Sequence, residues 1–243
     1  MKNAETEKAF KAFIDAPRSD FWKTYFWHKR DRFKMIVDSI PHSLEATKVL
    51  DVGPTDFTVF LKEIFPSYEI STVDLTDHLK DACEAKGIQF NTCDLHERYI
   101  PFPDNYFDVV IFCGVLEHIF APPTEILNEI RRIIRPKGKL IFAVPNIARL
   151  DYRIKLLFGI SPLEHPDRQM RKGMHGHIHE YTMKECTSLL KNCNFTIVKK
   201  KHVTTNVFRK RGIRHLAGLI LYAWRLIPSC GLTIYVECRK EVM

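Results

Sequence analysis

Three acids stand where apolar runs stop: Asp51 after Val49-Leu50, Asp74 after Ile70–Val73, and Asp94 after Ile88–Cys93. The first is followed by Val52-Gly53-Pro54-Thr55 and then by a helical pattern that begins at Phe57. A strand that ends at an acid and a glycine just before a helix is a cofactor cradle. Glycine lets the backbone approach a ligand, and the helix N-terminus presents N–H groups without helical partners. Asp74 follows Asp51 by 23 positions, close to the roughly 20 expected between a glycine turn and an acid that binds a ribose. A second group is rich in imidazole. Glu117-His118 sits just past a fourth apolar run, Phe107–Phe112, and His175, His177 and His179 alternate before Glu180. An imidazole with pKa near ~6.5 can take a proton from a hydroxyl near neutral pH, or can simply wall a pocket. Alternate residues of an extended chain share a face, so His175, His177 and His179 could converge on a metal with Glu180 or Asp167. Recognition of an acceptor, or base chemistry by His177 or His179, is the competing reading.

The elements that position these residues alternate regularly. Strands are expected over about 47–52, 69–74, 88–93, 107–113 and 139–144, separated by helical patterns, which gives a doubly wound, mostly parallel α/β sheet. Helices are expected after Gly53, at about 78–86 with Asp77 as cap, and from Pro122 through Ile134 until Pro136-Lys137-Gly138 breaks the pattern. In such a sheet ligands bind at the carboxyl ends of the strands, where Asp51, Asp74, Asp94 and Cys113-Gly114 all fall. Thr182-x-x-Glu185 matches a capping box ahead of another helix, and two more strands are expected over about 195–200 and 232–238. Upstream, Ser19-Asp20 could cap a helix to about Ile40, with Trp22, Phe26, Phe33, Ile36, Val37 and Ile40 on one face.

The chain resembles the class I S-adenosylmethionine-dependent methyltransferases, in particular their bacterial small-molecule and glycan branch. The resemblance rests on Val49-Leu50-Asp51-Val52-Gly53, Asp74, Asp94-Leu95, Phe107-Asp108-Val109-Val110 with Leu116-Glu117-His118, and Ile133-Ile134-Arg135-Pro136-Lys137-Gly138. It implies a seven-stranded Rossmann-like methyltransferase fold with an antiparallel last strand. It implies residues 1–45 as a helical lid over the acceptor site, and a donor-binding domain over 46–243 with insertions at about 146–180 and 201–230. It implies S-adenosyl-L-methionine as cofactor, with contacts at Asp51, Gly53, Pro54, Thr55, Asp74, Leu75, Asp94, Leu95, Cys113, Gly114 and Val115. Asp74 would hold the ribose diol, Asp94 and Leu95 the adenine, and Asp51 would support the turn or reach the donor's ammonium through water. It implies catalysis by His118 or His177 on an oxygen acceptor, and no metal, because a histidine before this Tyr-Thr helix start is frequent there without one. One departure stands out: Thr55 and Phe57 occupy positions where the family carries further glycines.

The net charge of +8 across 243 residues concentrates at Lys23–Lys34, Arg168–Lys172 and Lys199–Arg214. It fits an acidic substrate, nucleic acid or an anionic membrane surface. Nucleic acid is the least expected. Methylases of base amino groups carry Asn/Asp-Pro-Pro-aromatic where this chain has Cys113-Gly114-Val115-Leu116, and Cys113 lacks the preceding proline of cytosine carbon methylases. A ribose or wobble-base RNA methylase stays open, as does a binding module that no longer turns over. Residues 209–227 join four basic residues to an apolar stretch, read as core or as a peripheral membrane contact. No run of eighteen apolar residues occurs, the polar N-terminus has no signal-peptide core, and seven cysteines lack a Cys-x-x-Cys pair. These point to a cytoplasmic enzyme with free thiols. The acceptor and the oligomeric state are not readable.

Overall fold

Seven strands form one sheet: β1 (Lys48–Val52), β2 (Glu69–Asp74), β3 (Gln89–Thr92), β4 (Phe107–Cys113), β5 (Ile134–Pro145), β6 (Phe195–Val203) and β7 (Thr233–Lys240). The order is β3-β2-β1-β4-β5-β7-β6 in a computed structural model that describes residues 4–16, 20–41, 47–163, 165, 167, 176–203 and 228–241. Strands β1 to β5 are parallel, and β7 is antiparallel to both β5 and β6. The sheet is therefore mixed, with one reversed strand in an otherwise doubly wound α/β layout. Strand order reverses between β1 and β4, and that switch point opens a crevice at the carboxyl ends of the strands.

Strands buried on both faces explain the unbroken apolar runs. On one face Leu50, Val110, Phe112, Leu140 and Phe142 pack with α5 (Pro123–Ile133) and α7 (Met183–Asn192). On the other, Val49, Val109, Ile111 and Ile141 pack with α1 (Ala4–Asp15), α2 (Asp20–Ser39) and α3 (Asp56–Ile64). Phe26, Phe33, Ile36, Val37 and Ile40 of α2 are all buried there, while Trp22 lies outside the described side chains. The C-terminal end of α2 is fastened to the sheet. Ser39 Oγ donates to Glu237 at 2.7 Å, and Lys139 Nζ donates to the Ser39 carbonyl at 2.6 Å.

Several boundaries differ from the sequence reading. Ile134 begins β5 rather than ending α5, because it pairs with Phe107 and the strand crosses Pro136-Lys137-Gly138 through an irregular register. Helix α4 is only Lys80–Glu84, and Asp77 does not cap it with its side chain. Helix α6 (Leu150–Leu157) ends before Gly159, and Thr182 with Glu185 forms the expected capping box on α7. The segment 209–227 lies outside the described residues.

Candidate active site

A cavity of about 320 Å³ occupies the switch point. Of the residues expected to hold a donor, Gly53, Pro54, Asp74, Leu75, Asp94, Leu95, Gly114 and Val115 line it, and so does His118. Gly53 has φ +75°, its N–H donates to the Val73 carbonyl at 2.9 Å, and a Cβ there would meet Val115 Cγ2 at 2.7 Å. Only glycine suits that position. Asp74 closes β2 with Oδ1 accepting the Leu75 N–H at 2.7 Å, and His78 stands 3.7 Å from Oδ2. Asp94 Oδ1 accepts from the His96 N–H and from His96 Nδ1 at 2.7 Å, while His96 Nε2 accepts the Phe120 N–H at 3.1 Å. The bonds from His96 hold the Asp94 carboxyl below the usual carboxylate range.

Asp51, Thr55 and Cys113 do not line the cavity, each for a physical reason. Asp51 is buried behind it and accepts from Thr58 Oγ1 at 2.6 Å. Thr58 in turn accepts the Thr55 N–H at 3.1 Å, and Thr55 Oγ1 caps α3 by accepting from the Phe57 N–H. Burial pushes the Asp51 carboxyl up to about 7, against the Thr58 bond and Arg32. Cys113 also faces inward, and burial drives its thiol up to about 12, far from a nucleophilic thiolate. The missing glycines are thus accounted for. A capping box tied to Asp51 shapes the turn, and Phe57 points away from the cavity to stack on Phe33 of α2 with centroids 4.3 Å apart.

Beyond His118 lies a polar cluster assembled from four elements. His118 Nδ1 donates to the Gly176 carbonyl at 3.1 Å, and its ring lies 4.9 Å from that of His177. His177 Nδ1 bonds Glu180 Oε1 at 2.8 Å, which holds the imidazole above its usual pKa. Tyr152 of α6 donates to the same oxygen at 3.3 Å. From α2, Arg32 lies against Gly114 (φ +78°), where a Cβ would sit 3.1 Å from Nη1. Lys29, also on α2, faces Arg32, Glu117, Arg149 and Glu180, and burial with Arg32 pushes its ammonium down to about 8. Glu117 is buried and its carboxyl is pushed up by desolvation. Glu117 Oε2, Glu180 Oε2 and Arg32 Nε are buried without a hydrogen-bond partner, a state that costs about 1–3 kcal/mol per group.

The three alternating histidines do not converge. His175 is outside the described residues, His177 turns to Glu180, and His179 pairs with Glu185 at 3.9 Å. One ligand atom each from Glu117, His118 and His177 lies within 4.8 Å of the others, so a cation would find that set instead. Glu117, Glu180, Lys29 and Arg32 escaped the sequence reading. Lys29 and Arg32 showed only as part of the basic run Lys23–Lys34.

Residues 50–142 match a family model described as a methyltransferase domain. The chain is 33% identical over 101 residues to the ubiquinone/menaquinone biosynthesis C-methyltransferase UbiE of Cupriavidus necator, covering 39% of this chain and 41% of that one. It spans less than half the length of the curated relatives it matches first. Among solved structures it is similar to the methyltransferase in complex with the Haloferax volcanii Trm112 methyltransferase activator. That likeness has TM-score 0.64 and 14% identity over 96% of this chain and 98% of that one. It is also similar to Haemonchus contortus phosphoethanolamine N-methyltransferase 2 in complex with S-adenosyl-L-methionine, with TM-score 0.58 and 12% identity over 96% of this chain and 60% of that one. No described helix is long and apolar enough to cross a membrane. Residues 50–142 therefore carry a methyltransferase domain, set in the fold of S-adenosylmethionine-dependent methyltransferases.

Proposed function

We propose that this chain is an S-adenosylmethionine-dependent methyltransferase that acts on a hydroxyl of a small molecule or glycan. The observation that carries the reading is the cavity at the switch point, where Gly53, Asp74, Asp94 and Gly114 meet. The residues fit such a donor. Asp74 ends β2 at the cavity wall, as a ribose-binding acid would, and Leu95 with Asp94 lines the end suited to a purine. Gly53 and Gly114 keep the floor low enough for close approach. The donor supplies a methyl group made electrophilic by its sulfonium, so the protein's share is alignment, exclusion of water and handling of the acceptor's proton.

His118 lines the donor cavity and adjoins His177, which makes this pair the group placed to activate an acceptor hydroxyl. Lys29 and Arg32, held over the site by α2, close it from above as a lid. A second, larger cavity shares Ile119 with the first and is walled by Phe120, Ile178, Tyr181 and Leu189. It gives an acceptor with an apolar part somewhere to lie. The reading is tested by incubating the chain with isotope-labelled donor and, in parallel, extracts of small molecules, glycans and RNA. Label in a hydroxyl-bearing small molecule or glycan is expected. Label confined to RNA, or to carbon or nitrogen atoms, would refute the acceptor class.

A further inference from the structure

We propose that Glu117, His118 and His177 form a binding site for a late first-row transition-metal ion at the acceptor end of the donor cavity. The inference deepens the reading above and rests on it for the role of the site, not for its existence. Ligand atoms of the three side chains lie within 4.8 Å of one another. Metal bonds of about 2.1 Å in a tetrahedral site place ligands about 3.4 Å apart, so each side chain needs to move by only about an ångström.

Two independent features point to an ion. Glu117 is 3% exposed and its Oε2 has no hydrogen-bond partner, a state that a metal bond would relieve. Both imidazoles are also oriented as metal ligands are. The Gly176 carbonyl on His118 Nδ1 and the Glu180 carboxylate on His177 Nδ1 put the protons on those nitrogens. That leaves Nε2 as the basic nitrogen and supplies the carboxylate–histidine support found behind metal-bound imidazoles.

Charge decides which ion. Lys29 and Arg32 both act on Glu117, so electrostatic attraction alone does not hold a hard cation such as Mg²⁺ there. Two imidazoles and one carboxylate suit Zn²⁺, Co²⁺ or Fe²⁺ instead. His177 is exposed and His118 half-buried, which leaves the remaining coordination positions open to water or an acceptor oxygen. An acceptor hydroxyl bound there would lose its proton to solvent near neutral pH. Its oxygen would then form the new C–O bond as the donor's C–S bond breaks and a neutral thioether leaves.

The test is a cobalt titration of the full chain after chelation and dialysis, read by the visible d–d absorption of Co²⁺. One Co²⁺ per chain is expected, with the band abolished in His118→Ala and in His177→Ala. In Glu180→Gln, which keeps the fold but alters the support behind His177, Co²⁺ affinity should fall 10–100-fold. Circular dichroism and calorimetry with S-adenosylhomocysteine on the same samples report folding and donor binding. Absence of the band in a folded chain that binds S-adenosylhomocysteine would overturn the metal site and leave the transferase reading intact. A band that survives in the His118→Ala/His177→Ala double variant would overturn it too, by placing cobalt elsewhere.

Discussion

The relay from Asp51 through Thr58 to the Thr55 N–H makes a prediction that separates the turn's support from donor contact. Asp51 is buried, and its carboxyl rises from the ordinary 3.8 to about 7 because desolvation outweighs the Thr58 bond and the attraction of Arg32. A folded-state pKa above the unfolded one means that the native chain holds the proton more tightly. The stabilising contribution is then complete below about pH 4 and is lost as pH rises through 7. A rise of about three pH units at ~1.4 kcal/mol each sets a ceiling of about 4 kcal/mol. Asp51→Asn removes the titration but keeps an oxygen to accept from Thr58 Oγ1. Urea unfolding of parent and variant between pH 4 and pH 8 isolates this group from all others. The stability of the variant relative to the parent should climb by about 2–4 kcal/mol across that range. Parallel stability profiles for the two chains would refute the buried, protonated carboxyl and with it the relay.

Other perturbations probe neighbouring parts of the account. Asp74→Ala removes a charge-assisted acceptor for a ribose diol, so affinity for S-adenosylhomocysteine should fall at least tenfold, about 1.5–3 kcal/mol, with unchanged thermal unfolding. Gly53→Ala places a Cβ 2.7 Å from Val115 Cγ2 at φ +75°; it should lower stability by about 1–2 kcal/mol and weaken donor binding in calorimetry. Phe57→Ala empties the stack on Phe33 and Phe13 and should cost about 3–5 kcal/mol in urea unfolding. If Phe57 instead walled the donor, this variant would change donor affinity with little loss of stability.

The strands and their terminal acids were legible because period and burial coincide there. Asp74 ends β2 as expected, and Asp94 and Gly114 meet it at the cavity. The variant turn was legible only as a departure. Glycines absent at Thr55 and Phe57 gave no hint that a capping box and an aromatic stack would take over, since both depend on partners such as Asp51 and Phe33 that only the fold brings near. The polar cluster was the least legible part. Lys29, Glu117, Tyr152 and Glu180 come from separate elements, and no local spacing relates them. The alternating histidines invited a metal reading on the wrong set, because His177 and His179 turn to different carboxylates. Ile134 was assigned to the helix because its apolar side chain suits either element, and pairing with Phe107 decides for the strand.

The central claim is that the cavity at the switch point binds an S-adenosyl donor. Isothermal titration calorimetry of the intact chain with S-adenosylhomocysteine, run beside Asp74→Ala, tests it most directly. The account predicts one site per chain with at least tenfold weaker binding in the variant. No heat of binding in a folded parent chain, or equal affinity in parent and variant, would contradict it.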